Sequence, residues 1–259
     1  MLRKRIIFTL IYCDGFFMQS RNFRLQKVGN LNWLEKNYQF QKISFSLDEL
    51  IVLNASRDNK SMENFANTIS CLVNDVFIPI AAGGGVRTME DVELLFNSGA
   101  DKIVLNTVLI LNPDLVTSLV KRYGSQSIVA SVDYKENNGD IEVYIQDGST
   151  KIDMSLEHYL EYLEKLEVGE IYLNSMGKDG TGFGYDFEII EKFENKIKTP
   201  LIIAGGAGNE SHLMEGLKYR NVSAVATANL FNFIGDGLPK ARTKIILSGE
   251  NIANWNVDN

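Results

Sequence analysis

Eight short, β-rich apolar runs alternate along this chain with amphipathic stretches, and this alternation restricts the fold more than any other feature. Short runs rich in β-branched and aromatic side chains predict buried strands. The runs cover Arg5–Tyr12, Glu49–Asn54, Phe77–Ala82, Lys102–Asn106, Ser127–Val132, Glu170–Asn174, Pro200–Ala204 and Ser223–Ala228. Helical patterns between them cover Ser61–Asn74, Met89–Ser98, Pro113–Tyr123, Leu156–Leu166, Asp186–Asn195 and Glu210–Arg220.

Strands that alternate with helices indicate parallel βαβ units, because two parallel strands need a long crossover connection. Eight such units in 259 residues favour one closed (β/α)8 barrel domain, a TIM barrel over residues 1–259, rather than an open doubly wound sheet. One insertion departs from the pattern. The segment "DYKENNGDIEVYIQDGSTKID" has a polar tip at 137–139, which predicts a hairpin after the fifth strand.

The chain also repeats itself, since "PIAAGGGVRTMEDVELLFNSGADKIVLNT" resembles the later segment "PLIIAGGAGNESHLMEGLKYRNVSAVATAN". At spacings of 122, 120 and 122 residues, the repeat pairs Gly83-Gly84 with Gly205-Gly206, Asn54 with Asn174, and Ile11 with Asp133. Such a repeat predicts two half-barrels, about residues 1–123 and 124–250, with similar strand ends. One half then ends its first strand with a carboxylate and the other with an isoleucine.

Composition narrows the class of protein. The net charge of −7 disfavours a general nucleic-acid binder, because attraction to phosphate needs a basic surface. Cys13 and Cys71 provide neither a disulfide framework nor a metal-ligand spacing, and they suggest small core or near-core residues in a reducing compartment. No apolar stretch reaches the roughly 20 residues of a membrane span, and the first apolar run is too short for a signal peptide. We therefore expect a cytoplasmic protein that binds neither membranes nor nucleic acid.

Two glycine-rich turns, at 82–85 and 204–208, each follow a predicted strand and precede a predicted helix. Glycines there let backbone N–H groups approach an anion, and the helix N-terminus adds its dipole. A tight turn with positive φ is the simpler interpretation of either one. Because small polar strand ends follow one unit later, at Asn106-Thr107 and Ala228-Asn229, the pair predicts two phosphate sites across the barrel mouth. A substrate phosphorylated at both ends would suit them.

Two carboxylates stand at predicted strand ends, where (β/α)8 barrels carry their chemistry. Asp133 closes the fifth strand and is the candidate for a chemical role. Asp179, in "NSMGKDGTG", and Asp14 are both also explained as turn formers. His158 and His212 lie in helical patterns without a ligand spacing, so we expect no metal and no other cofactor.

Four charged residues open strands at the opposite end of the predicted barrel, namely Arg5, Glu49, Lys102 and Glu170. Charges in such positions are ordinarily solvated and stabilise a fold little. Alternating signs around the barrel axis would instead form a ring that closes it. The residues alone leave both interpretations open.

Motifs along nearly the whole chain resemble one family. They are "MLRKRII", "DELIVL", "GGGVRTMEDVELLFNSGADKIVLNT", "GSQSIVASVD", "GEIYLNSMGKDGTGFGYD" and "IIAGGAGN". Together they are similar to the cyclase subunit of imidazole glycerol phosphate synthase, HisF, and less similar to the isomerase HisA. The resemblance implies a barrel partnered by a HisH-type glutaminase, whose ammonia enters the bottom, crosses the core and meets a bisphosphate substrate at the top.

Position by position, the resemblance implies roles for individual residues. Asp133 and Asp179 would be catalytic, and Asp101 would lie at the glutaminase interface. The ammonia gate would consist of Arg5, Glu49, Lys102 and Glu170. The phosphate-binding positions would be Gly84, Gly85, Asn106, Thr107, Gly180, Gly205, Gly206, Ala228 and Asn229.

The chain departs from the family at the C-terminal ends of the strands, where the family has its active site. Ile11 stands where the family has a strand-one aspartate, and loss of a positioned acid or base costs on the order of 10²–10⁴ in rate. Asn54 replaces a strand-two aspartate, and Gln19 replaces a phosphate-loop lysine, although Arg21 is nearby. An apolar residue at the first of these positions also occurs in a divergent HisF-like group of surface-polysaccharide gene clusters, which "GEIYLNSM" and "VSAVATANLFNF" resemble.

The first interpretation is therefore a HisF-like synthase subunit that receives ammonia from a HisH-type glutaminase. It would serve a sugar amidotransferase that forms an amidine on an acetamido sugar. One alternative is imidazole glycerol phosphate synthase itself, a lyase of histidine biosynthesis. Another is a non-catalytic partner that activates the glutaminase. A HisA-type isomerase is disfavoured, because it would need a carboxylate in place of Ile11.

Overall fold

Eight parallel strands pair side by side until the last meets the first. The computed structural model describes residues 3–38, 44–57, 61–228 and 237–254. In chain order the strands are β1 (Arg5–Cys13), β2 (Phe16–Arg21), β3 (Arg24–Gly29), β4 (Glu49–Asn54), β5 (Ile80–Gly83), β6 (Lys102–Leu105), β7 (Ile128–Asn137), β8 (Asp140–Ile145), β9 (Thr150–Ser155), β10 (Glu170–Ser175), β11 (Leu201–Ala204) and β12 (Val222–Thr227). The barrel runs β1-β4-β5-β6-β7-β10-β11-β12 and closes by the parallel pairing of β12 with β1. The predicted (β/α)8 barrel is confirmed.

Helices cover the outside of this barrel. In chain order they are α1 (Leu31–Tyr38), α2 (Met62–Asp75), α3 (Met89–Asn97), α4 (Val108–Leu111), α5 (Pro113–Tyr123), α6 (Leu156–Lys165), α7 (Phe187–Phe193), α8 (Glu210–Leu217) and α9 (Gly237–Leu247), with short 3₁₀ turns at Ser44–Ser46 and Ser125–Ser127. Local sequence sets their starts. Thr88 and Asp91 form a capping box at α3, and Asn112 caps α5 in front of Pro113.

Two hydrophobic layers hold the barrel together. The larger layer lies between the strands and the helices, where apolar faces such as that of α2 are buried. The smaller layer fills the barrel interior and consists of Ile7, Ile51, Ala81, Val104, Val129, Tyr172, Ile202, Ala204, Ala224 and Ala226. Alternate residues of each strand point into the interior, because successive side chains in a strand face opposite sides.

A buried ion pair ties α9 to the N-terminal end of the barrel. Arg242 donates from Nη2 to Asp48 Oδ1 at 2.7 Å and from Nη1 to Asp48 Oδ2 at 3.0 Å. Its guanidinium also donates to the carbonyl oxygens of Ser46 and Ala253. Asp48 Oδ2 in turn accepts from the backbone N–H of Ile6 on β1. This contact fixes the last described helix to the first strand.

Strand pairing corrects the register of the internal repeat. Ile11 pairs with Leu53, and its counterpart Asp133 pairs with Asn174. Leu53 is therefore the counterpart of Asn174, and the predicted match of Asn54 with Asn174 is wrong by one residue. The two residues share the sequence "LN", but that identity does not follow the barrel geometry.

The glycine turns shift by the same amount. Leu53 pairs with Gly83, whereas Asn174 pairs with Ala204. The predicted match of Gly83 with Gly205 is therefore also wrong, and Gly84 is the counterpart of Gly205. In this register the two turns have the same backbone conformation, because φ is +93° at Gly84 and +87° at Gly205.

Several elements lie outside the sequence prediction. The β2–β3 hairpin, α1 and α9 were not expected, whereas the antiparallel β7–β8 hairpin at residues 137–140 is confirmed. The third barrel strand begins at Ile80 rather than Phe77, and the Phe77 side chain is 86% exposed. Cys71 is exposed on α2, so the expectation of a core residue is wrong there.

Candidate functional site

A cavity of about 1080 Å³ opens at the C-terminal ends of the barrel strands. We call it the mouth cavity. Its floor includes Thr9, Val104, Tyr172, Ala204 and Ala226, which belong to the interior of the barrel. Barrel enzymes place their chemistry at this end, because the loops that follow the strands converge there. The mouth cavity is therefore the candidate active site.

Asp133 lies on β7 in the wall of the mouth cavity and is buried. Asn174 Nδ2 donates to Asp133 Oδ1 at 2.9 Å, and Asn106 Nδ2 donates to Oδ2 at 3.2 Å. Burial raises the pKa of the Asp133 carboxyl to about 7, although the hydrogen bond from Asn174 opposes the shift. A carboxyl with such a pKa can both take up and release a proton near neutral pH.

The half-barrel repeat divides the mouth cavity into a polar and an apolar wall. Asp133, Asn174 and Asn106 form the polar wall. Their counterparts in the corrected register are the side chains of Ile11, Leu53 and Ala228, which line the same cavity. Each member of the hydrogen-bonded set is thus replaced by an apolar residue. Among these six positions, only the polar wall carries a side chain that can transfer a proton.

Both glycine turns border the mouth cavity, as predicted from their positions after strands. A Cβ on Gly84 would lie 2.3 Å from the backbone oxygen of Asn54, and one on Gly205 would lie 2.5 Å from that of Ser175. Gly85 and Gly206 also have positive φ. Each position thus requires glycine for its conformation or for a close backbone approach.

The other residues predicted to bind phosphate differ in their surroundings. Gly180 and Ala228 line the mouth cavity, together with Asn106 and Thr107. The Asn106 amide already donates to Asp133, and Thr107 Oγ1 accepts from the backbone N–H of Gln146 at 3.0 Å. Asn229 lies outside the described residues.

Asp179 also lines the mouth cavity, but it is committed to the β2–β3 hairpin. Its Oδ2 accepts from Ser20 Oγ at 2.5 Å and from the backbone N–H of Phe23 at 3.0 Å. Its backbone oxygen accepts from Asn22 N–H at 2.9 Å. Asp14 lies in the turn between β1 and β2 with φ +49°, as expected of a turn former. Asp179 therefore fastens the hairpin over the mouth.

A second hairpin meets the first over the mouth cavity. Gly148, in the turn between β8 and β9, packs closely against this hairpin, since a Cβ there would lie 2.8 Å from the side chains of both Phe23 and Met176. All three residues line the cavity. The β2–β3 hairpin could not be predicted from the sequence, because its two strands are half exposed and lack a continuous apolar run.

The opposite end of the barrel carries a closed circuit of four charges, which we call the charged ring. Arg5 forms ion pairs with both Glu49 and Glu170. Lys102 Nζ lies 3.0 Å from Glu49 Oε2 and 2.8 Å from Glu170 Oε2. Each cation thus bridges both carboxylates, and the interpretation as independent solvated charges does not apply.

The pKa values of the two carboxylates of the charged ring shift in opposite directions. Desolvation raises the pKa of Glu49, whose side chain is 2% exposed, although Arg5 and Lys102 oppose the shift. Desolvation also acts on Glu170, but the same two cations outweigh it and lower its pKa. Asp101 precedes the ring residue Lys102 and accepts the backbone N–H of Ile80 at 2.8 Å. It is exposed at the same end of the barrel.

The barrel interior separates the charged ring from the mouth cavity. Along β10, the inward residues are Glu170, then Tyr172, then Asn174. The Tyr172 hydroxyl lies 3.1 Å from Thr9 Oγ1 on β1, in a buried contact that spans the interior. Apart from this pair, the middle of the interior consists of aliphatic side chains, four of them alanine.

Neither a metal site nor a membrane-spanning helix is found in the part of the chain that the structure describes. Among residues 3–38, 44–57, 61–228 and 237–254, no group of three or more His, Cys, Asp or Glu side chains could hold a metal ion. No helix in the same ranges is both long and apolar enough to cross a membrane.

The closed parallel barrel and the cavity at the C-terminal ends of its strands define a TIM-barrel protein with a site in the usual position for this class. Residues 22–235 match the family described as "Histidine biosynthesis protein". A protein of Parasynechococcus marenigrum (strain WH8102), named putative imidazole glycerol phosphate synthase subunit hisF2, is 43% identical over 98% of this chain and 95% of its own length.

Two further relatives carry the plain name "Imidazole glycerol phosphate synthase subunit HisF". The protein of Exiguobacterium sp. (strain ATCC BAA-1283 / AT1b) is 32% identical over 88% of each chain. That of Chlorobaculum parvum (strain DSM 263 / NCIMB 8327) is 34% identical over 90% of this chain and 92% of its own. The chain belongs to the HisF family.

Proposed function

We propose that this chain is the synthase subunit of a glutamine amidotransferase complex, and that a HisH-type glutaminase supplies ammonia through its barrel. The charged ring carries this proposal. It closes the N-terminal end of the barrel with four ion pairs, and an interior of aliphatic side chains and the Tyr172–Thr9 pair lies between it and Asp133. Ammonia is small and neutral, so it can cross such an interior more cheaply than an ion can.

The N-terminal end of the barrel also has features of a docking surface. Phe77 and Phe45 are 86% and 55% exposed just before β5 and β4, whose first residues lie at that end. Exposed aromatic side chains are costly in water and are enriched in protein interfaces. Together with exposed Asp101, they support the docking of the glutaminase beside the charged ring.

The mouth cavity lacks the strand-one acid/base group on which cyclisation in the family depends, because Ile11 stands in its place. Ile11 cannot transfer a proton, and Leu53 and Ala228 extend the apolar wall around it. We infer that ammonia is delivered to another acceptor, in a complex with a sugar amidotransferase that forms an amidine on an acetamido sugar of a surface polysaccharide. The apolar residue at position 11 is the feature shared with the HisF-like group that has this role.

Imidazole glycerol phosphate synthesis is the second candidate. It is favoured by Asp133, whose pKa of about 7 suits general acid or base catalysis. The names of the three relatives agree with it. In this reaction the chain would convert phosphoribulosyl formimino-aminoimidazole carboxamide ribotide and ammonia into imidazole glycerol phosphate and AICAR.

An assay with ammonium salt separates the two candidates without any glutaminase. The purified chain receives the ribotide substrate and excess ammonium chloride, and an ordinary HisF serves as the reference. We expect turnover at least about 100-fold below the reference, because one positioned acid/base group is absent. Ile11→Asp should raise the turnover, whereas the matched variant Ile11→Asn, which is polar but cannot exchange a proton, should not. Turnover near the reference rate would refute the first proposal.

A second assay tests the charged ring and the third interpretation, a non-catalytic activator. Glutamate release by a HisH-type glutaminase is measured with wild type, Lys102→Gln and the control Lys151→Gln, in which an exposed lysine at the other end of the barrel is lost. Only the Lys102 variant should alter glutamate release. If both variants stimulate the glutaminase as wild type does, the ring has no part in coupling. A chain that stimulates the glutaminase but delivers no nitrogen to any acceptor would support the activator.

A further inference from the structure

We propose that Arg21, Arg24 and Lys135 form an anion-binding site at the rim of the mouth cavity, which holds a phosphate or carboxylate group of the molecule bound there. We call these residues the rim cluster. The proposal goes beyond ammonia delivery, and it adds a third anion site to the two glycine turns. The arginines flank the turn of the β2–β3 hairpin, and the lysine lies on β7 two residues after Asp133.

The three cations face one hollow without a counter-ion. Together with Asn22 they line a concavity of about 400 Å³. Within the described residues, none of the three forms a salt bridge. The acid opposite Lys135 in the strand register is Glu142, but its carboxylate is occupied by Lys151 at 2.6 Å and Tyr144 at 2.7 Å.

The pairing of the two arginines is unfavourable in the absence of an anion. Arg21 and Arg24 are direct cross-strand partners of the antiparallel hairpin, and like charges in such positions repel each other. The chain as a whole has a net charge of −7, so a cluster of unpaired cations opposes its overall charge. A bound anion would neutralise this repulsion and gain charge-assisted hydrogen bonds.

The turn that carries the arginines is held in place. Asn22 and Phe23 have φ values of +50° and +61°, which form a tight turn between the two strands. Asp179 accepts hydrogen bonds from both of their backbone N–H groups and from Ser20 Oγ. The backbone positions of Arg21 and Arg24 are therefore fixed relative to the barrel, so less ordering is needed when an anion binds.

The rim cluster and the mouth cavity are adjacent. Asn22 lines both hollows, and a ligand can therefore extend from one into the other. Its reactive part would lie beside Asp133 and its anionic end between the three cations. The guanidinium groups favour planar or tetrahedral oxyanions, since each can donate two parallel hydrogen bonds.

Isothermal titration of the full chain with inorganic pyrophosphate, and separately with citrate, tests the proposal at low ionic strength. Pyrophosphate represents a phosphate group, and citrate represents a carboxylate. We expect the double variant Arg21→Gln/Arg24→Gln, and Lys135→Gln, to bind at least one of the two probes about tenfold more weakly, or to lose one binding step. The matched control is Lys218→Gln, which removes an exposed cation that does not line the hollow of the rim cluster.

The outcomes are distinguishable. Weakening for pyrophosphate alone assigns the cluster to phosphate, and weakening for citrate alone assigns it to carboxylate. If no variant differs from Lys218→Gln with either probe, the proposal is overturned. Urea midpoints check folding, and Arg21→Lys/Arg24→Lys, which keeps the charge, should bind better than the glutamine pair. The titration contains neither glutaminase nor ammonia, so its result is independent of the proposed function.

Discussion

Asp133 should destabilise the folded protein at neutral and alkaline pH, and Asp133→Asn should reveal that cost. Burial raises its pKa from 3.8 to about 7 in the folded state. Each unit of pKa difference between the folded and unfolded states corresponds to about 1.4 kcal/mol, so ionisation should cost the fold about 4 kcal/mol. The catalytic candidate is thus also a weak point of the structure.

The direction of the pH dependence follows from the raised value. At pH 3 and below, the carboxyl is largely protonated in both the folded and the unfolded state, so the cost of ionising it in the folded state is absent. As the pH rises from about 4 to about 7, the unfolded chain releases its proton first, so the folded state loses stability. The loss is complete once the pH exceeds the pKa of the folded state. Asparagine at this position has no proton to lose, so its stability should not follow this curve.

Asparagine also loses one hydrogen bond, because its amide N–H₂ faces an amide donor of Asn106 or Asn174. That loss costs about 1–3 kcal/mol at every pH. We therefore expect Asp133→Asn to be less stable than wild type at pH 4 and about 1–3 kcal/mol more stable at pH 8.

Urea unfolding at pH 4, 6 and 8, followed by circular dichroism, measures the difference. Asp153→Asn is the matched control, because it makes the same change of side chain at an exposed position on β9. A constant offset between Asp133→Asn and wild type would refute the reasoning. It would mean that the carboxyl has the same pKa in both states.

Three further changes test the geometry of the barrel. Lys102→Gln leaves buried Glu49 with one cation, so we expect a loss of about 2–4 kcal/mol in urea unfolding, against about 0–1 for Lys196→Gln at the exposed pair with Glu157; equal losses would contradict a buried ring. Arg242→Met removes the bidentate partner of Asp48 and should cost about 3–5 kcal/mol by the same measurement, and a loss below about 1 would show that α9 does not depend on it. Gly84→Ala should destabilise the protein clearly more than Gly139→Ala in thermal unfolding. Both glycines have positive φ, which costs alanine about 1–2 kcal/mol, but only a Cβ at Gly84 would also collide with backbone atoms. Equal losses of stability would show that positive φ alone causes the effect.

The sequence predicted the barrel because its strands are buried on both faces and therefore appear as short apolar runs. The β2–β3 hairpin escaped prediction for the opposite reason. Its strand "RLQKVG" is half exposed and polar, and it is positioned by Asp179 from a distant part of the chain. Long-range contacts of this kind leave no local pattern. The hairpin decides how the mouth is covered and where Arg21 and Arg24 lie, so this part of the site required the structure.

The candidate residues divide in the same way. Positions at strand ends, such as Asp133, could be placed from the sequence, because parallel strands end at one edge of the barrel. The register of the internal repeat could not be placed from the sequence. The identical pair "LN" at 53–54 and 173–174 favours an alignment that the strand pairing excludes. The partnership of Asp133 with Asn106 likewise depends on side chains from neighbouring strands. Hydrogen bonds between strands depend on register, and a shift of one residue turns every side chain to the other face.

If ammonia enters the barrel through the charged ring, as proposed, the charges of the ring bear on which species could pass it. Its two cations and two carboxylates balance, so an arriving ion finds no excess of opposite charge to replace the water that it loses. The desolvation of an ion costs several kcal/mol, whereas a neutral molecule gives up only a few hydrogen bonds. Under the proposed function, the N-terminal end of the barrel would therefore select by charge before it selects by size. The permeating fraction of a weak base would be its unprotonated form, which the pH outside the protein controls.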